Sequence, residues 1–390
     1  MKKKLITIVS SSKFSSGGAN VAAKRVGDAL SNFFLIKRIA PQTNSLIDYF
    51  KIFSTKVFLK LFIKKKIFLN SLNFFSRIDL TEYKTDIFNL HWIGDETISL
   101  NQISKIKKPI IWTLHDMWAF TSTEHFLESK ENNFYSKIEK LPFFKKFFLI
   151  KKKKYYKKNL NFVTNSKWLE TLARKSYLLK NFNIKTIYNP VNTKLWKRDK
   201  NINLKQKLNL NRSKRYILFG AQGGLVNYRK GGDLFIDSLK YIKYLNKDVE
   251  IVVLGGDRNF LDKINGFIFH FRKISFDLRT QISYHSIANI TVVPSRAESM
   301  PQFAVETLLC NNPVVAFNIG GFNEILKHKK SGYLAKPFDT KDFSRGIEFS
   351  INKIVSKNLK ENRKNIVKKF DDKLVGREYK NFINGILLKS

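Results

Sequence analysis

Short apolar runs alternate with segments of helical periodicity along the whole chain of 390 residues. The first run is LITIVS (5–10), and VAAKRVGDAL (21–30) behind it has apolar residues at helical spacing. A second series of the same kind begins at RYILFGA (215–221). Strands that alternate with helices form parallel sheets with right-handed crossovers. The pattern therefore predicts two doubly wound, Rossmann-like α/β domains that face each other across a cleft.

The remaining elements follow the same alternation until a polar segment interrupts them. Further strands are predicted at 86–92, 109–115, 161–166, 249–256, 288–295 and 312–318, and further helices at 168–179, 233–242, 303–310 and 322–328. The segment KTIYNPVNTKLWKRDK (185–200) breaks the pattern with Asn-Pro, and a polar stretch rich in Lys and Asn continues to Lys214. This stretch predicts a linker between the two domains. Ligands of such sheets bind beyond the carboxyl ends of the strands, where each motif below falls.

The chain is strongly basic, with 72 Lys and Arg against 31 Asp and Glu and a formal net charge of +41. This balance predicts an anionic partner, either nucleic acid, an anionic membrane surface or a phosphorylated substrate. Codon bias in an AT-rich genome is the alternative explanation, because Lys, Asn, Ile, Phe and Tyr are abundant together. The single Cys310 excludes an internal disulfide and favours a reducing compartment. The apolar core of the first residues is too short for a signal peptide, and no run of 18 apolar residues predicts a membrane span.

Two glycine-containing loops follow predicted strands and are candidates for phosphate binding. Gly17 and Gly18 stand between the first strand and the first helix, where backbone N–H groups and the helix N-terminus favour an anion. The loop GAQGGLVNYRKGGD (220–233) ends in Arg229 and Lys230, a cation pair suited to a diphosphate. A simple turn and two solvated surface charges are the alternative interpretations.

Two acidic residues, Glu298 and Glu306, lie eight positions apart around an apolar run. A carboxylate can accept two hydrogen bonds from a vicinal diol, such as a ribose or a sugar ring, without any metal. A Glu in the first turn of a helix is also favoured by the helix dipole. We expect Glu306 at or near such a first turn, so the dipole alternative accounts for Glu306 but not for Glu298.

These motifs together resemble a known enzyme family. SRAESMPQFAVETLLCNNPVVAFNIGGFNEIL (295–326) resembles the donor-site signature of retaining glycosyltransferases of family 4, which have the GT-B fold. The matching positions of the signature are Pro294, Ser295, Glu298, Glu306, Pro313 to Val315, Gly320, Gly321 and Glu324. Supporting matches occur in the family's order at Gly17-Gly18, Asn165-Ser166, Asn189, Arg229-Lys230-Gly231 and Gly255-Gly256-Asp257.

The resemblance implies roles for the matching residues. Arg229 and Lys230 neutralise the leaving diphosphate, Glu306 holds the ribose, and Glu298 orients the transferred sugar. The complete sets are catalytic Glu298, His115 and Lys230, and donor-binding Gly17, Gly18, Arg229, Lys230, Glu298, Ser299, Met300 and Glu306. The resemblance also implies a domain 1–190 that binds the acceptor, a domain 191–370 that binds the donor, and a C-terminal helix in 371–390 that packs back on the first domain.

A narrower resemblance covers NLHWIG (89–94) and TLHDMWAFTSTEHF (113–126), which are similar to enzymes of colanic-acid, exopolysaccharide and O-antigen biosynthesis. Three departures stand out. Relatives have Thr-Gly-Gly-Cys-His where this chain has 121–125, and many have Gly-Arg where it has Gly220-Ala221. Relatives also usually have Phe-Gly at 300–302, where this chain has Met-Pro-Gln.

Three of the six histidines lie within 35 residues of one another, at or just after predicted strand ends, with tryptophans nearby. The resemblance implies that His115 contacts the donor sugar or the acceptor, and aromatic faces suit the apolar faces of pyranose rings. The predicted acceptor-binding residues are His91, Asp116, Trp118 and His125. A structural role is the alternative for a lone histidine. No tight ligand spacing and no Asp-x-Asp motif is present, so we predict no metal and no cofactor other than the donor.

Two stretches, 51–66 and 145–158, contain many lysines and aromatic residues but no acid. Basic and aromatic residues on a helix are typical of a segment that lies on an anionic membrane. A solvated helix face is the alternative for 51–66. Nucleic acid is not expected as a partner, because no nucleic-acid-binding module signature is present.

The sequence thus predicts a retaining glycosyltransferase that uses a UDP- or GDP-sugar and a lipid-linked saccharide acceptor. Such an enzyme would work in cell-surface polysaccharide biosynthesis, in the cytoplasm and at the inner face of the cell membrane. The alternative is a non-catalytic basic protein that binds membrane or nucleic acid on a decayed GT-B scaffold.

Overall fold

The computed structural model describes residues 3–12, 14, 17–41, 46–62, 71–127, 138–256, 263–275, 277–354 and 356–389. The chain forms two compact units. The first unit comprises Met1–Pro190 and Asp372–Ser390, and the second comprises Val191–Asp371. Each unit is built around one sheet of mostly parallel strands with helices between them. The predicted class, two doubly wound α/β domains, is confirmed.

The sheet of the first unit has six parallel strands in the order β2-β1-β3-β4-β5-β6. These strands are β1 Leu5–Val9, β2 Leu35–Ile39, β3 Ile87–Leu90, β4 Ile110–Leu114, β5 Leu160–Thr164 and β6 Asn183–Thr186. The helices of this part are α1 Gly18–Leu30, α2 Leu46–Phe62, α3 Leu100–Lys105, α4 Phe143–Tyr155 and α5 Lys167–Lys175. Apolar clusters cover both faces of the sheet, which is why its central strands read as nearly continuous apolar runs.

The two edge strands of this sheet, β2 and β6, were not predicted from the sequence. Their sequences are LIKRI and NIKT, and most of their side chains are exposed or half-buried. An edge strand needs fewer apolar residues than a central one, so it lacks the apolar run on which the prediction depends.

Helix α5 shows how local signals set helix ends. Its N-cap is Ser166, as predicted, and the Ser166 hydroxyl oxygen accepts a hydrogen bond of 3.1 Å from the Leu169 N–H. The helix ends at Lys175, four residues before the predicted end. Ser176 adopts an extended conformation, and its hydroxyl oxygen accepts from the Leu179 N–H, which begins a new turn.

The sheet of the second unit has seven strands in the order β13-β12-β11-β7-β8-β10-β9, and β9 pairs antiparallel with β10. The strands are β7 Arg215–Gly220, β8 Val249–Leu254, β9 Lys263–Ile264, β10 Phe267–Arg272, β11 Ile290–Val293, β12 Val314–Phe317 and β13 Gly332–Ala335. The helices are α6 Leu204–Lys207, α7 Gly232–Leu239, α8 Leu278–Ile287, α9 Gln302–Leu309, α10 Thr340–Lys353 and α11 Ser356–Phe370. The helix predicted at 322–328 is wrong, because a short 3₁₀ helix at Gly320–Glu324 ends within that segment and no α-helix continues it.

The C-terminal helix α12, Asp372–Leu387, packs within the first unit, as expected for this fold class. Gly376 allows a close approach to α1, since a Cβ there would lie 2.6 Å from the Ala29 carbonyl oxygen. Tyr379 is fully buried, and its hydroxyl lies 3.3 Å from the Thr113 hydroxyl on β4. None of the helices in the described part of the chain is both long and apolar enough to cross a bilayer.

Candidate active site

The loop after β11 holds Glu298 in a cluster of charged side chains in the second unit. Glu298 is 7% exposed, and its Oε1 accepts a hydrogen bond of 3.1 Å from the Ser295 hydroxyl. The same oxygen lies 3.4 Å from the Arg229 guanidinium and forms a shorter ion pair with the Lys230 ammonium. Glu298, Arg229 and Lys230, here called the charged triad, are therefore brought together as the sequence motifs suggested.

The fold explains why these residues meet. β7 and β11 are adjacent parallel strands, so the loops at their carboxyl ends lie side by side. The Arg229 carbonyl oxygen accepts a hydrogen bond of 2.8 Å from the Arg296 N–H, which joins the two loops. Gly231 has a φ of 70°, and a Cβ at this position would overlap the Pro294 carbonyl oxygen. Glycine at 231 is therefore required for the contact that places the Arg-Lys pair beside Glu298.

Burial and neighbouring charges shift the pKa values of Glu298 and Lys230 in the charged triad. Burial on its own raises the pKa of Glu298, but the Lys230 and Arg229 charges outweigh it, and the pKa lies below its usual range. Burial lowers the pKa of Lys230, and the Glu298 charge opposes that change only in part. Two cations and one carboxylate leave one net positive charge, which can attract an anionic ligand.

Glu306 is also buried, at 8% exposure, on α9. Because α9 begins at Gln302, Glu306 is the fifth residue of the helix and lies directly after its first turn, near the predicted position. The helix dipole acts mainly within the first turn, so it does not account for this buried carboxylate.

The Gly-Gly turn after β12 packs against the backbone of the loop at Glu298 and Ser299. Ser299 and Met300 are both 4% exposed. Gly320 has a φ of 54°, and a Cβ there would overlap the Glu298 carbonyl oxygen. A Cβ at Gly321 would overlap the Ser299 carbonyl oxygen in the same way. The Gly-Gly pair therefore lets the turn after β12 pack directly against the backbone of the loop that carries Glu298.

The predicted donor-binding glycines of the first unit begin α1. Gly17 is the N-cap with a φ of 78°, and a Cβ on Gly18 would meet no atom within 4 Å. The Asn20 side chain donates a hydrogen bond of 2.5 Å to the Ser12 hydroxyl, which fixes the end of the loop. Asp257, which supported the family resemblance, lies outside the described residues.

A histidine pair forms at the carboxyl ends of two other adjacent strands. His91 follows β3 and His115 follows β4, and their rings stack with centroids 5.1 Å apart. His91 Nδ1 lies 2.9 Å from His115 Nε2, so one nitrogen donates a hydrogen bond to the other. Burial lowers the pKa of His91 well below its usual value, and it lowers that of His115 to about 4 although Asp116 opposes the change. Both rings are therefore neutral near pH 7.

Asp116 links this pair to a second buried histidine. Its Oδ2 lies 2.6 Å from His125 Nδ1, and its Oδ1 accepts a hydrogen bond of 3.0 Å from the Trp118 N–H. His125 Nε2 lies 2.9 Å from the Ser71 hydroxyl. Burial raises the pKa of Asp116, but His125 and the Trp118 N–H outweigh it, so the pKa is lowered and the carboxylate stays ionised.

The burial of three residues is at odds with the prediction that they contact an acceptor directly. His91, Trp118 and His125 are 0%, 3% and 2% exposed. The Trp118 ring stacks on His125 with centroids 6.1 Å apart, and the Lys152 ammonium lies 3.8 Å from its centroid. Because its faces are covered, Trp118 offers no platform for a pyranose ring. His115 and Asp116, which are only half-buried, are the members of the group that a ligand can reach.

Two residues missed by the sequence interpretation hold the loop between Trp118 and His125. Lys152 is fully buried on α4 and donates hydrogen bonds to the Trp118 carbonyl and, at 3.1 Å, to the Thr121 carbonyl. Tyr156, four residues later, donates a hydrogen bond of 2.6 Å to the Ala119 carbonyl. The only sequence signal was their spacing relative to buried Phe148 and Leu149, since Lys152 lies in a run of four lysines.

Among the described residues, no group of three His, Cys, Asp or Glu side chains is placed to hold a metal ion. The site residues instead form two groups, one in each unit. The charged triad offers ionised groups for an anionic ligand. The second group, here called the histidine group, comprises His91, His115, Asp116, Trp118 and His125. It offers the neutral His91 and His115 rings and the ionised Asp116 carboxylate at strand ends.

Comparison with known proteins places the second unit in a recognised family pattern. Residues 200–369 match the family model for glycosyl transferases group 1. A region of 159 residues is 33% identical to an uncharacterized glycosyltransferase of Methanocaldococcus jannaschii and covers 39% of this chain and 44% of that protein. The chain thus spans less than half the length of the curated relatives it matches.

The fold of the whole chain is similar to those of solved structures. Sucrose-phosphate synthase from Thermosynechococcus elongatus superposes with a TM-score of 0.70 at 15% identity, over all of both chains. Anabaena HepE in complex with UDP-glucose gives 0.67 at 16% identity, over 98% of this chain and all of that one. The predicted GT-B fold class is confirmed, and residues 200–369 carry the sequence pattern of glycosyl transferases group 1.

Proposed function

We propose that this protein is a glycosyltransferase that moves a sugar from a nucleoside diphosphate sugar to an acceptor hydroxyl. The observation that carries the proposal is the charged triad. Its two cations and its carboxylate meet at the carboxyl ends of adjacent strands, within the region that matches glycosyl transferases group 1. The name of the M. jannaschii relative and the UDP-glucose in the HepE complex support the same activity.

In this proposal the charged triad and Glu306 bind different parts of the donor. Arg229 and Lys230 bind the diphosphate, and Glu306 holds the ribose. All three contacts of Glu298 described above use Oε1, which leaves Oε2 to accept hydroxyls of the transferred sugar. Ser299 and Met300 line the same loop.

The chemistry is then departure of the sugar from its diphosphate, with the negative charge that develops on the leaving group stabilised by fixed cations. Lys230 and Arg229 are held in place before the donor binds, so little reorganisation is needed during the reaction. The neutral His115 ring can exchange a hydrogen bond with a sugar hydroxyl, and Gly17 and Gly18 add an N-terminal helix end for the phosphates. Retention of configuration, independence of metal and a UDP or GDP donor belong to the proposal through the family resemblance.

Donor binding is the first test. We expect UDP- or GDP-sugars to raise the melting temperature, because a ligand at 100 times its Kd stabilises the native state by about 2.7 kcal/mol. Differential scanning fluorimetry against a panel of nucleotide sugars measures this, and Lys230→Ala should remove the shift. Lys243→Ala, an exposed lysine of the same unit, is the matched control. No shift with any nucleotide sugar contradicts the proposal, and a shift without sugar transfer or hydrolysis favours the non-catalytic alternative.

The acceptor side of the proposal rests on two exposed apolar stripes in the first unit. Helix α2 exposes an apolar stripe at helical spacing, formed by Leu46, Phe50, Phe53, Val57 and Leu61. Helix α4 exposes a second one, formed by Phe143, Phe147 and Ile150. The Phe74 ring joins the helices, since its centroid lies 5.6 Å from that of Phe58 and 6.2 Å from that of Phe148.

We infer that α2 and α4 together lie on an anionic membrane that carries a lipid-linked saccharide acceptor. Exposed lysines accompany both stripes, among them Lys56 and Lys60 on α2 and Lys153 and Lys154 on α4. Each basic residue near an anionic surface contributes about 1 kcal/mol, and aromatic and aliphatic side chains add apolar burial. A peripheral location on the inner face of the cell membrane and a place in polysaccharide biosynthesis follow from this proposal. Residues 63–66 of the predicted basic stretch lie outside the described residues.

Membrane binding is tested by co-sedimentation with vesicles of phosphatidylglycerol and phosphatidylcholine. We expect salt-sensitive binding that falls at least tenfold in Phe50→Gln/Phe53→Gln, because these side chains are 68% and 65% exposed. The control is Tyr241→Gln/Tyr244→Gln, an exposed aromatic pair of the second unit. Lys152 must stay unchanged in this test, because it is buried. Equal vesicle binding by both double variants contradicts the inference that α2 and α4 lie on the membrane.

A further inference from the structure

A cavity of about 800 Å³ lies in the second unit, away from the loops of the charged triad. Asn289 precedes β11 and Pro313 precedes β12, so the cavity opens at the amino ends of these strands. Glu298 follows the carboxyl end of β11. A strand of four residues is about 13 Å long. The cavity is therefore a separate place from the proposed donor site.

The cavity is lined by cations without a compensating acid. Six of its 15 lining residues are Lys or Arg, and none is Asp or Glu; the six are Lys197, Arg198, Lys200, Lys360, Arg363 and Lys364. Arg363 is fixed by hydrogen bonds of 2.8 Å to the Leu309 carbonyl and 3.1 Å to the Thr193 carbonyl. In a chain with a net charge of +41, such a group alone does not establish a site.

A second observation points to a ligand. Ser350 lines the cavity from α10 and is 3% exposed, and its hydroxyl has no hydrogen-bond partner among the described residues. The side-chain oxygen of Asn311, another lining residue, is also buried without a partner in the described part of the chain. A buried polar atom left unpaired destabilises the folded protein. Ligand oxygens and hydroxyls would satisfy both groups.

The remaining lining residues define what else the ligand contains. Ile351, Ile354 and Leu359 give the cavity apolar walls. Its volume suits an organic molecule rather than a single inorganic phosphate, because ligand pockets are typically about 300–1,000 Å³. Phosphates can meet the lysines while a ring system covers the isoleucines and the leucine.

We propose that this cavity binds a polyphosphorylated small molecule with an aromatic ring system, of the nucleoside polyphosphate class. The ligand would be an effector rather than a sugar donor, because the cavity and the charged triad lie at opposite ends of β11. Binding of this ligand does not depend on the transferase activity, and a binding measurement alone tests it.

Isothermal titration of the full chain with ATP and with inorganic tripolyphosphate tests the proposal. We expect ATP to bind at least several-fold more tightly than tripolyphosphate, because only ATP offers a ring system to the apolar walls. Lys360→Gln/Lys364→Gln should weaken ATP binding at least tenfold. Lys243→Gln/Lys330→Gln, which removes two exposed lysines of the same unit outside the cavity, should change it less than twofold. Lys230→Ala should leave ATP binding intact.

Ser350→Ala provides the sharper variant. Removing an unpaired buried hydroxyl should leave the melting temperature of the unliganded protein unchanged or raised, while ATP affinity falls several-fold. ATP affinity that Ser350→Ala does not change overturns the site. Equal losses of ATP affinity in the two double-lysine variants would also overturn the site, because they indicate general polyanion binding. A loss of ATP affinity in Lys230→Ala would overturn it as well, because it places ATP in the donor site. Binding of a single-stranded oligonucleotide without ATP binding would assign the cations to nucleic acid and also overturn the proposal.

Discussion

Glu298→Gln is expected to lower the rate of sugar transfer by about 100- to 1,000-fold while nucleoside diphosphate affinity stays equal or rises. Hydrogen bonds to a charged group contribute about 1.5–3 kcal/mol each, and each 1.4 kcal/mol is a factor of ten. A neutral amide loses much of that contribution to the sugar hydroxyls. Glu298 also pairs with Lys230 and Arg229, so its removal frees both cations for the diphosphate.

A lower transfer rate with unchanged or higher diphosphate affinity distinguishes a role of Glu298 in transfer from a role in folding. Single-turnover kinetics give the rate, and titration with UDP and GDP gives the affinity. Glu250→Gln is the matched control, because Glu250 on β8 is also a buried, paired carboxylate. It is 6% exposed, and its Oε2 lies 2.7 Å from His270 Nε2. We expect this control to change stability but not transfer. If Glu298→Gln loses diphosphate affinity in proportion to the rate, Glu298 supports the fold of the loop and not the transferred sugar.

The arrangement of the charged triad could be anticipated because its motifs are local. Pro294-Ser295 and Glu298 follow one strand and Arg229-Lys230 follows another, and the carboxyl ends of adjacent parallel strands must meet. The strand-helix alternation likewise predicted the central strands of both sheets. Glu306 was expected in or near the first turn of its helix, and the start of α9 at Gln302 places it directly after that turn.

The histidine group could be predicted only in part, for a physical reason. Sequence shows that His91 and His115 follow strands, but burial depends on what packs over them. Trp118 and His125 are covered by partners distant in sequence, which are Lys152 and Ser71 respectively. Composition alone predicts that every lysine of the run 151–154 is exposed. Helical periodicity does not show that Lys152 points inward.

That inward lysine gives the second large effect. Lys152→Met is expected to lower the free energy of unfolding by about 2–4 kcal/mol at pH 9, since it leaves the Trp118 and Thr121 carbonyls without their donor. The matched control is Lys154→Met, the same substitution at an exposed position of α4, which should change stability by less than about 0.5 kcal/mol.

The pH dependence of this loss distinguishes a buried amine from simple packing. Burial lowers the pKa of Lys152 to about 7, while Glu124 and Asp116 oppose the change, against an ordinary value of 10.5 in the unfolded chain. Between these values the unfolded state binds more protons than the folded state, so the Lys152 contribution to stability increases with pH. Below pH 7 both states are protonated, and the contribution is constant.

Urea unfolding of the wild type and Lys152→Met between pH 6 and pH 9 measures this difference. We expect the two free energies to diverge above pH 7 by up to about 1.4 kcal/mol per pH unit, and Lys154→Met to run parallel to the wild type. Parallel curves for Lys152→Met as well would show that the Lys152 ammonium keeps its proton in the folded protein. In that case the interaction with the Trp118 ring, rather than a neutral amine, would hold the loop that carries His125.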